Sequence, residues 1–262
     1  DKAQVFSGDL ADASDSARRA LGDALRGCDA VVHLAGKTSE GTANAEYTES
    51  VNVGATQRLA ELAKECGVKR FVFVSSQSAR ISRAGSYGAS KKRAEDVLLK
   101  SGVDAVILRP AIIYGSGNAG LFKKFADIVR KVPVIPIPYT AVTFQPVFVG
   151  DVVSSILSAL EVSNPAERIF DVAGPDAVTF PGLIRAVARE LGFSRVLIPV
   201  PMGLCILGAK MLALVLKKPP VTVDNLVGLT EVTPINLRPL KEILNVEPVR
   251  LSDGLKLALK VN

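Results

Sequence analysis

Two rhythms of apolar residues alternate along the chain. Short, mainly apolar runs at 30–34, 71–74, 103–108 and 168–172 read as strands buried on both faces, and 4–7 reads as a further short strand that opens the chain. Between them, apolar residues recur at three- and four-residue intervals over 16–25, 46–66, 90–99 and 152–160, the pattern of helices packed by one face. Gly27 and Gly67 fall where the first two of these helices should stop, and Ser14 or Asp15 suits the start of the first. Strand and helix alternate at spacings that demand right-handed crossovers, which predicts a parallel sheet with helices on both faces.

The chain is organised around residues 70–92. Phe71, Val72, Phe73 and Val74 suit a central strand that ends at Ser75 and Ser76, where ligands of open α/β sheets gather. Beyond a short loop, Tyr87 and Lys91 lie four apart on a helix and share one face. A tyrosine titrates near pH 10, so it needs a neighbouring cation to act as a base at neutrality. An ammonium about 4 Å away can supply at most roughly three pKa units. Lys91 could play that part while Ser76 holds the reacting oxygen.

These residues belong to a longer series of motifs. GDL at 8–10, VVHLAG at 31–36, the run from Ser50 to Ser76, YGASK at 87–91, LRPAIIYG at 108–115 and PVFVGDVV at 146–153 occur in order over nearly the whole chain. In this the chain resembles the extended and atypical short-chain dehydrogenases/reductases, the group that contains the NAD-dependent epimerases and dehydratases. The resemblance implies a Rossmann-type doubly wound parallel sheet over 1–172, to which 132–150 adds part of a substrate lobe. A small, mostly helical substrate-binding lobe would follow over 173–262. It implies NAD or NADP as cofactor, with Ser76, Tyr87 and Lys91 catalytic and Asn52 supporting them. Cofactor contacts would come from Asp9, Leu10, Leu34, Ala35, Gly36, Tyr87, Lys91, Pro110 and Ile113. The resemblance gives Asp9 to the adenine amino group; the alternative is that it caps the next helix, which Ser14 or Asp15 could do equally well, and Ala35 and Gly36 are small enough for a cofactor to approach the backbone.

Two departures from the family pattern bear on chemistry. The glycine-rich turn of the first βαβ unit, which cradles the pyrophosphate, does not occur ahead of residue 8, so one such unit is expected outside this sequence. Gly115, Gly117 and Gly120 do spell G-x-G-x-x-G, but this follows a late strand and leads into a Pro-rich turn region at 132–138. It reads as a loop on the substrate side rather than a dinucleotide fingerprint. In addition, Gln77 and Ser78 follow Ser76 where dehydratases of the 4,6 type carry an acidic pair, which disfavours elimination.

Composition narrows the rest. With 262 residues, 48% apolar and 22% charged, the chain is a folded globular one with room for a core and a small second lobe. Its net charge of +6 favours anionic ligands, but no basic stripe with interleaved aromatics points to nucleic acid. Three cysteines without metal-like spacing fit reduced thiols and a cytoplasmic setting. The single histidine, His33, rules out a two-histidine metal site and reads as a core or site-lining residue.

Residues 197–216 form the most apolar stretch, too short to span a bilayer and interrupted by Lys210. They read either as a lid helix over the substrate pocket or as a face for a membrane surface or a larger complex. Asp151 is expected to cap the helix after the strand-like run 144–149. The expected partner is a small-molecule substrate, with a homodimer as an open assembly. Two functions stand. One is an NAD(P)-dependent oxidoreductase or epimerase acting on a hydroxyl or ketone of a nucleotide sugar, sterol or similar molecule. The other is a cofactor-binding structural or assembly protein like the dehydrogenase-like accessory subunit of respiratory complex I, which the 146–153 motif and the region from Val221 to Asn236 also resemble.

Overall fold

The computed structural model describes residues 4–37, 45–81, 85–115, 121–215, 226 and 235–259. The first half contains helix α1 (Asp15–Leu25), strand β1 (Ala30–His33), helix α2 (Ala45–Glu49), a π-helical turn (Ser50–Gly54) and helix α3 (Ala55–Glu65). Strand β2 (Arg70–Val74), a 3₁₀ turn (Gln77–Arg80), helix α4 (Gly85–Lys100) and strand β3 (Ala105–Pro110) follow. Next come β4 (Ile113–Tyr114), α5 (Leu121–Lys131), β5 (Val134–Pro138), β6 (Thr143–Phe144), β7 (Val147–Phe148) and α6 (Val149–Glu161). The chain ends with β8 (Ile169–Val172), β9 (Val178–Thr179), α7 (Phe180–Glu190), β10 (Val196–Val200), α8 (Met202–Val215), α9 (Arg238–Glu242) and α10 (Leu251–Leu259).

The main sheet has four parallel strands in the order β1-β2-β3-β8. Because side chains alternate along a strand, Phe71, Phe73 and Ile107 face one layer with Leu59, Leu62 and Leu98 of α3 and α4. Val72, Val106 and Leu108 face the other, with Val152 of α6 and Leu240 and Leu244 at α9. Covering on both faces explains why Phe71–Val74 of β2 and Ala105–Leu108 of β3 are apolar at successive positions rather than every second one. The α/β class and the doubly wound parallel sheet are as expected. A third core gathers Tyr114, Val129, Ile135, Ile137, Ile184 and Leu255, from segments on either side of α6 and β8.

Several local expectations change. Residues 4–7 are not a strand: Val5 is 85% exposed, and among the described residues no strand lies beside it to take up its backbone hydrogen bonds. The 46–66 helix is interrupted by the π turn at Ser50–Gly54. The expected turn region at 132–138 contains strand β5, paired in parallel with β10. Tyr139 N donates to Val200 O, so the odd-numbered positions face β10 and the ring nitrogens of Pro136 and Pro138 fall on the open edge, where no donor is needed. The run 144–149 divides into β6, β7 and the start of α6, whose N-cap is Phe148. Asp151 therefore does not cap α6; it lies inside the first turn, where its carboxylate accepts from Val249 N at 3.0 Å. Gly117 and Gly120, and Val221 to Asn225, lie outside the described residues.

The β8 exit has no room for a side chain. A Cβ on Gly174 would sit inside the van der Waals shell of Pro146 O, a backbone atom that cannot swing away. Gly174→Ala is expected to lower stability by about 1–3 kcal/mol, read as a fall in the urea midpoint at unchanged slope.

Candidate functional site

β2 delivers two serines to opposite sides. Ser75 Oγ donates inward to Glu95 at 2.6 Å, while Ser76 remains extended and its Oγ accepts from Ser78 N at 3.1 Å, capping the 3₁₀ turn. The Ser76 side chain faces the Tyr87 phenol on α4, near enough to favour its ionised form. Burial raises the Tyr87 pKa and Ser76 partly offsets it, so the phenol is protonated at neutral pH.

One turn along α4, Lys91 is buried. Its Nζ donates to Val74 O at 2.8 Å and stands 4.3 Å from the centre of the Phe73 ring. Burial lowers its pKa to about 8, against the pull of Glu95. The expected lowering of the Tyr87 pKa by Lys91 is not found in this state: the ammonium is held on the end of β2, and Tyr87 shifts upward.

Asn52 sits in the π turn, which turns its side chain inward, and π turns of this kind are frequent at functional sites. Its Oδ1 accepts from Lys37 N at 2.7 Å, and its Nδ2 donates to Lys37 O at 3.0 Å and to Ser90 Oγ at 2.8 Å. Ser90 Oγ in turn donates to Tyr87 O at 2.8 Å, so one amide joins the loop after β1 to the helix that carries Tyr87. A Cβ on Gly36 would lie 3.4 Å from Lys91 Nζ and 3.5 Å from Asn52 Oδ1, so glycine lets that loop pass close over both.

His33 supports the arrangement from beneath. Thr56 Oγ1 donates to Asn52 O at 2.7 Å, which leaves it to accept from His33 Nε2 at 3.0 Å and assigns the proton to that nitrogen. The imidazole stacks on Phe73, with centroids 5.3 Å apart. Burial, reinforced by the Lys91 charge, lowers its pKa to about 4.

Glu95 and Arg109 are the polar pair that sequence reasoning missed. Glu95 is fully buried two turns beyond Tyr87, and Arg109 Nε and Nη2 grip its carboxylate at 2.9 and 2.5 Å. The available signal was a Tyr, Lys and Glu at four-residue intervals on one helix face, with an arginine ending the neighbouring strand. Arg109 O also accepts from Gln77 Nε2, whose other bond goes to Asp171, itself paired with Arg80 at 2.5 Å.

The remaining expected residues lie ahead of α1, after β1, and on β3 and β4. Leu34, Ala35 and Gly36 follow β1, with Leu34 exposed. Asp9 Oδ1 accepts from Ala11 N at 2.8 Å, a local turn rather than a helix cap, and Leu10 O accepts from Arg58. Ser50 Oγ donates to Ala11 O at 3.3 Å, which ties this segment to the π turn. Pro110 is buried at the end of β3 and Ile113 is exposed on β4.

The structure thus brings Ser76 to Tyr87 directly, and Lys91, Asn52 and Gly36 to one another. These residues fit the nicotinamide–ribose half of a dinucleotide. Among the described residues the Lys91 ammonium makes one hydrogen bond of its three, and the glycine leaves the backbone approachable above it.

A model of the NAD dependent epimerase/dehydratase family matches residues 1–173. The chain belongs to this family. It is 29% identical over 231 residues to the UDP-glucose 4-epimerase of Vibrio cholerae, covering 79% of this chain and 67% of that protein. It is 28% identical to the ceramide reductase of Caulobacter vibrioides, covering 76% and 60%. It is also 28% identical to NADH dehydrogenase [ubiquinone] 1 alpha subcomplex subunit 9, mitochondrial, of Mus musculus, covering 90% and 62%. The chain thus spans 60–67% of the length of these relatives. Among solved structures, the Bordetella bronchiseptica enzyme WbmG in complex with NAD superposes with a TM-score of 0.74 at 17% identity, over 97% of this chain and 77% of that one. RMD from Pseudomonas aeruginosa complexed with NADPH gives 0.72 at 18%, over 97% and 86%. Both likenesses are of fold.

Two outcomes follow from the buried charges. His33 takes up a proton at about pH 4 when folded and near 6.5 when unfolded, so the unfolded chain binds more protons between these values. Stability is therefore whole above pH 6.5 and falls by about 3 kcal/mol as pH drops through 4. Urea titrations across that range should show the slope, and His33→Gln should flatten it. Glu95→Leu alone strands Arg109 and should cost about 3–5 kcal/mol, whereas Glu95→Leu with Arg109→Met should recover most of the loss.

Proposed function

We propose that this protein is an NAD(P)-dependent oxidoreductase or epimerase that acts on a hydroxyl or ketone of a nucleotide sugar or similar small molecule. The reading rests on the Ser76 side chain facing the Tyr87 phenol, with the Lys91 ammonium buried one turn away at the same strand end. When bound, the nicotinamide supplies or accepts the hydride. Ser76 orients the reacting oxygen, and Tyr87, protonated at neutrality, gives or takes its proton. Lys91 holds a ribose hydroxyl through its remaining donors, and Asn52 fixes the loop and helix that frame the site. Gln77 adds no acid or base, since its amide is bonded to Arg109 O and Asp171, in keeping with hydride and proton exchange rather than elimination.

A second reading is supported by the mouse complex I subunit, whose match spans 90% of this chain. In that reading the protein binds the cofactor and serves assembly without turnover.

Tyr87→Phe should reduce turnover of a ketone or sugar nucleotide by about 10²–10⁴-fold while nicotinamide fluorescence shows dinucleotide binding retained. Turnover close to that of the parent protein would sink the assignment. Dinucleotide binding with no turnover in either protein would favour the assembly role. In the reducing direction the rate should also decline as pH rises through about 8, where Lys91 loses its charge, and Lys91→Met should remove that limb along with most of the affinity for dinucleotide.

A further inference from the structure

Helix α8 is apolar nearly all round and leaves large apolar side chains facing outward. Leu204, Leu207, Met211 and Leu214 follow one another at intervals of three, four and three residues, which puts them in a single stripe, and all four are exposed, Leu214 to 88%. Ala209, on the opposite side, is buried. A helix in a globular protein normally turns such a stripe toward the core, so an outward stripe marks a surface that something covers.

The elements leading into the helix continue the pattern. On the β5/β10 sheet, Val134 pairs with Val196 and Pro136 with Ile198, and all four are exposed, while Ile135 and Ile137 point into the core. Tyr139, 80% exposed, is bonded through its backbone to Val200, at the point where β10 passes into α8. A tyrosine there offers an apolar ring and a polar tip at one level.

Charge decides the occupant. From Leu191 to Val223 the sequence contains no aspartate or glutamate but carries Arg195, Lys210, Lys217 and Lys218. Lys210 is exposed and follows Leu207 and precedes Met211 on the helix. A partner protein or a second copy of this chain would be met equally well by mixed charges, whereas an anionic lipid surface selects for cations of one sign around an apolar stripe. No helix among the described residues is long and apolar enough to cross a membrane. We propose that α8 lies in the interface of an anionic membrane, with the Leu204–Leu207–Met211–Leu214 stripe entering the acyl boundary and Lys210 at headgroup level. This holds whether or not the Ser76–Tyr87–Lys91 site turns over a substrate.

The chain contains no tryptophan, so Leu207→Trp places one fluorophore in the stripe. Adding phosphatidylcholine vesicles that contain phosphatidylglycerol to the full-length protein should shift its emission to the blue, with little change for phosphatidylcholine alone and reversal in high salt. In vesicle sedimentation, Leu207→Glu with Met211→Glu should weaken binding by about tenfold or more, and Lys210→Ala by about fivefold, with melting temperature unchanged because these side chains are exposed. Absence of a shift with anionic vesicles would overturn the proposal. So would a shift already present without lipid that tracks protein concentration, which would give the stripe to a second copy of the chain. Equal binding to neutral and anionic vesicles would also overturn it, by removing the role of Lys210.

Discussion

Helix α4 carries three functional groups along one face: the half-buried Tyr87 phenol and the buried Lys91 ammonium and Glu95 carboxylate. Neither charge could be buried there alone. A lone carboxylate or ammonium in the core would neutralise itself by shifting its pKa, or push the helix off the sheet. The set is tolerated because β2 and β3 offer matching partners: Val74 O and the Phe73 face for Lys91, Ser75 Oγ and the fork of Arg109 for Glu95. The polar column that fixes α4 against the sheet is thus continuous with the group that faces the ligand side. Ser75 and Ser76, adjacent in sequence, divide between the two tasks because successive side chains of an extended chain point in opposite directions.

A second chain of contacts fixes the wall opposite α4. From Phe73 it runs through His33 and Thr56 to Asn52, then to the Lys37 backbone and, through Ser90, to the backbone of Tyr87. The π turn is what aims Asn52 into this chain. An uninterrupted α-helix would rotate position 52 relative to its flanks, and the amide would no longer meet both the β1 loop and α4. The histidine takes part as a neutral hydrogen-bond donor, its charge suppressed by burial and by Lys91. It is thereby a structural link rather than a proton carrier at neutral pH.

The two halves of the molecule face different solvents of attraction. At the end of β2 the polar groups of Lys91, Asn52 and Ser90 are held by hydrogen bonds to one another's elements. The lobe built from α5, β5, α7, β10 and α10 has a closed apolar core of its own, yet β10 and α8 leave apolar residues facing outward beside an acid-free basic segment. In one family, 28–29% identity extends to an epimerase, a ceramide reductase and a respiratory-complex subunit. One fold can carry such different proteins because function resides in sites rather than in the fold itself.

What the amino-acid order determined by itself was the parallel α/β architecture, the strand ending at Ser75 and Ser76, and the face shared by Tyr87 and Lys91. These depend on local period and burial, which the pattern of apolar residues encodes directly. The tertiary structure decided what depends on partners distant along the chain. Residues 4–7 have strand character but no neighbour to pair with among the described residues, Pro136 and Pro138 permit a strand because β10 lies on the other side, and Asp151 does not cap α6 because its carboxylate is taken by Val249 N. Residue type alone does not set Glu95 apart from other helix carboxylates; Ser75 and Arg109 meet it only in the folded core. The Tyr87 pKa rises rather than falls, because a pKa reports the surroundings of a group, and those exist only once the chain has folded.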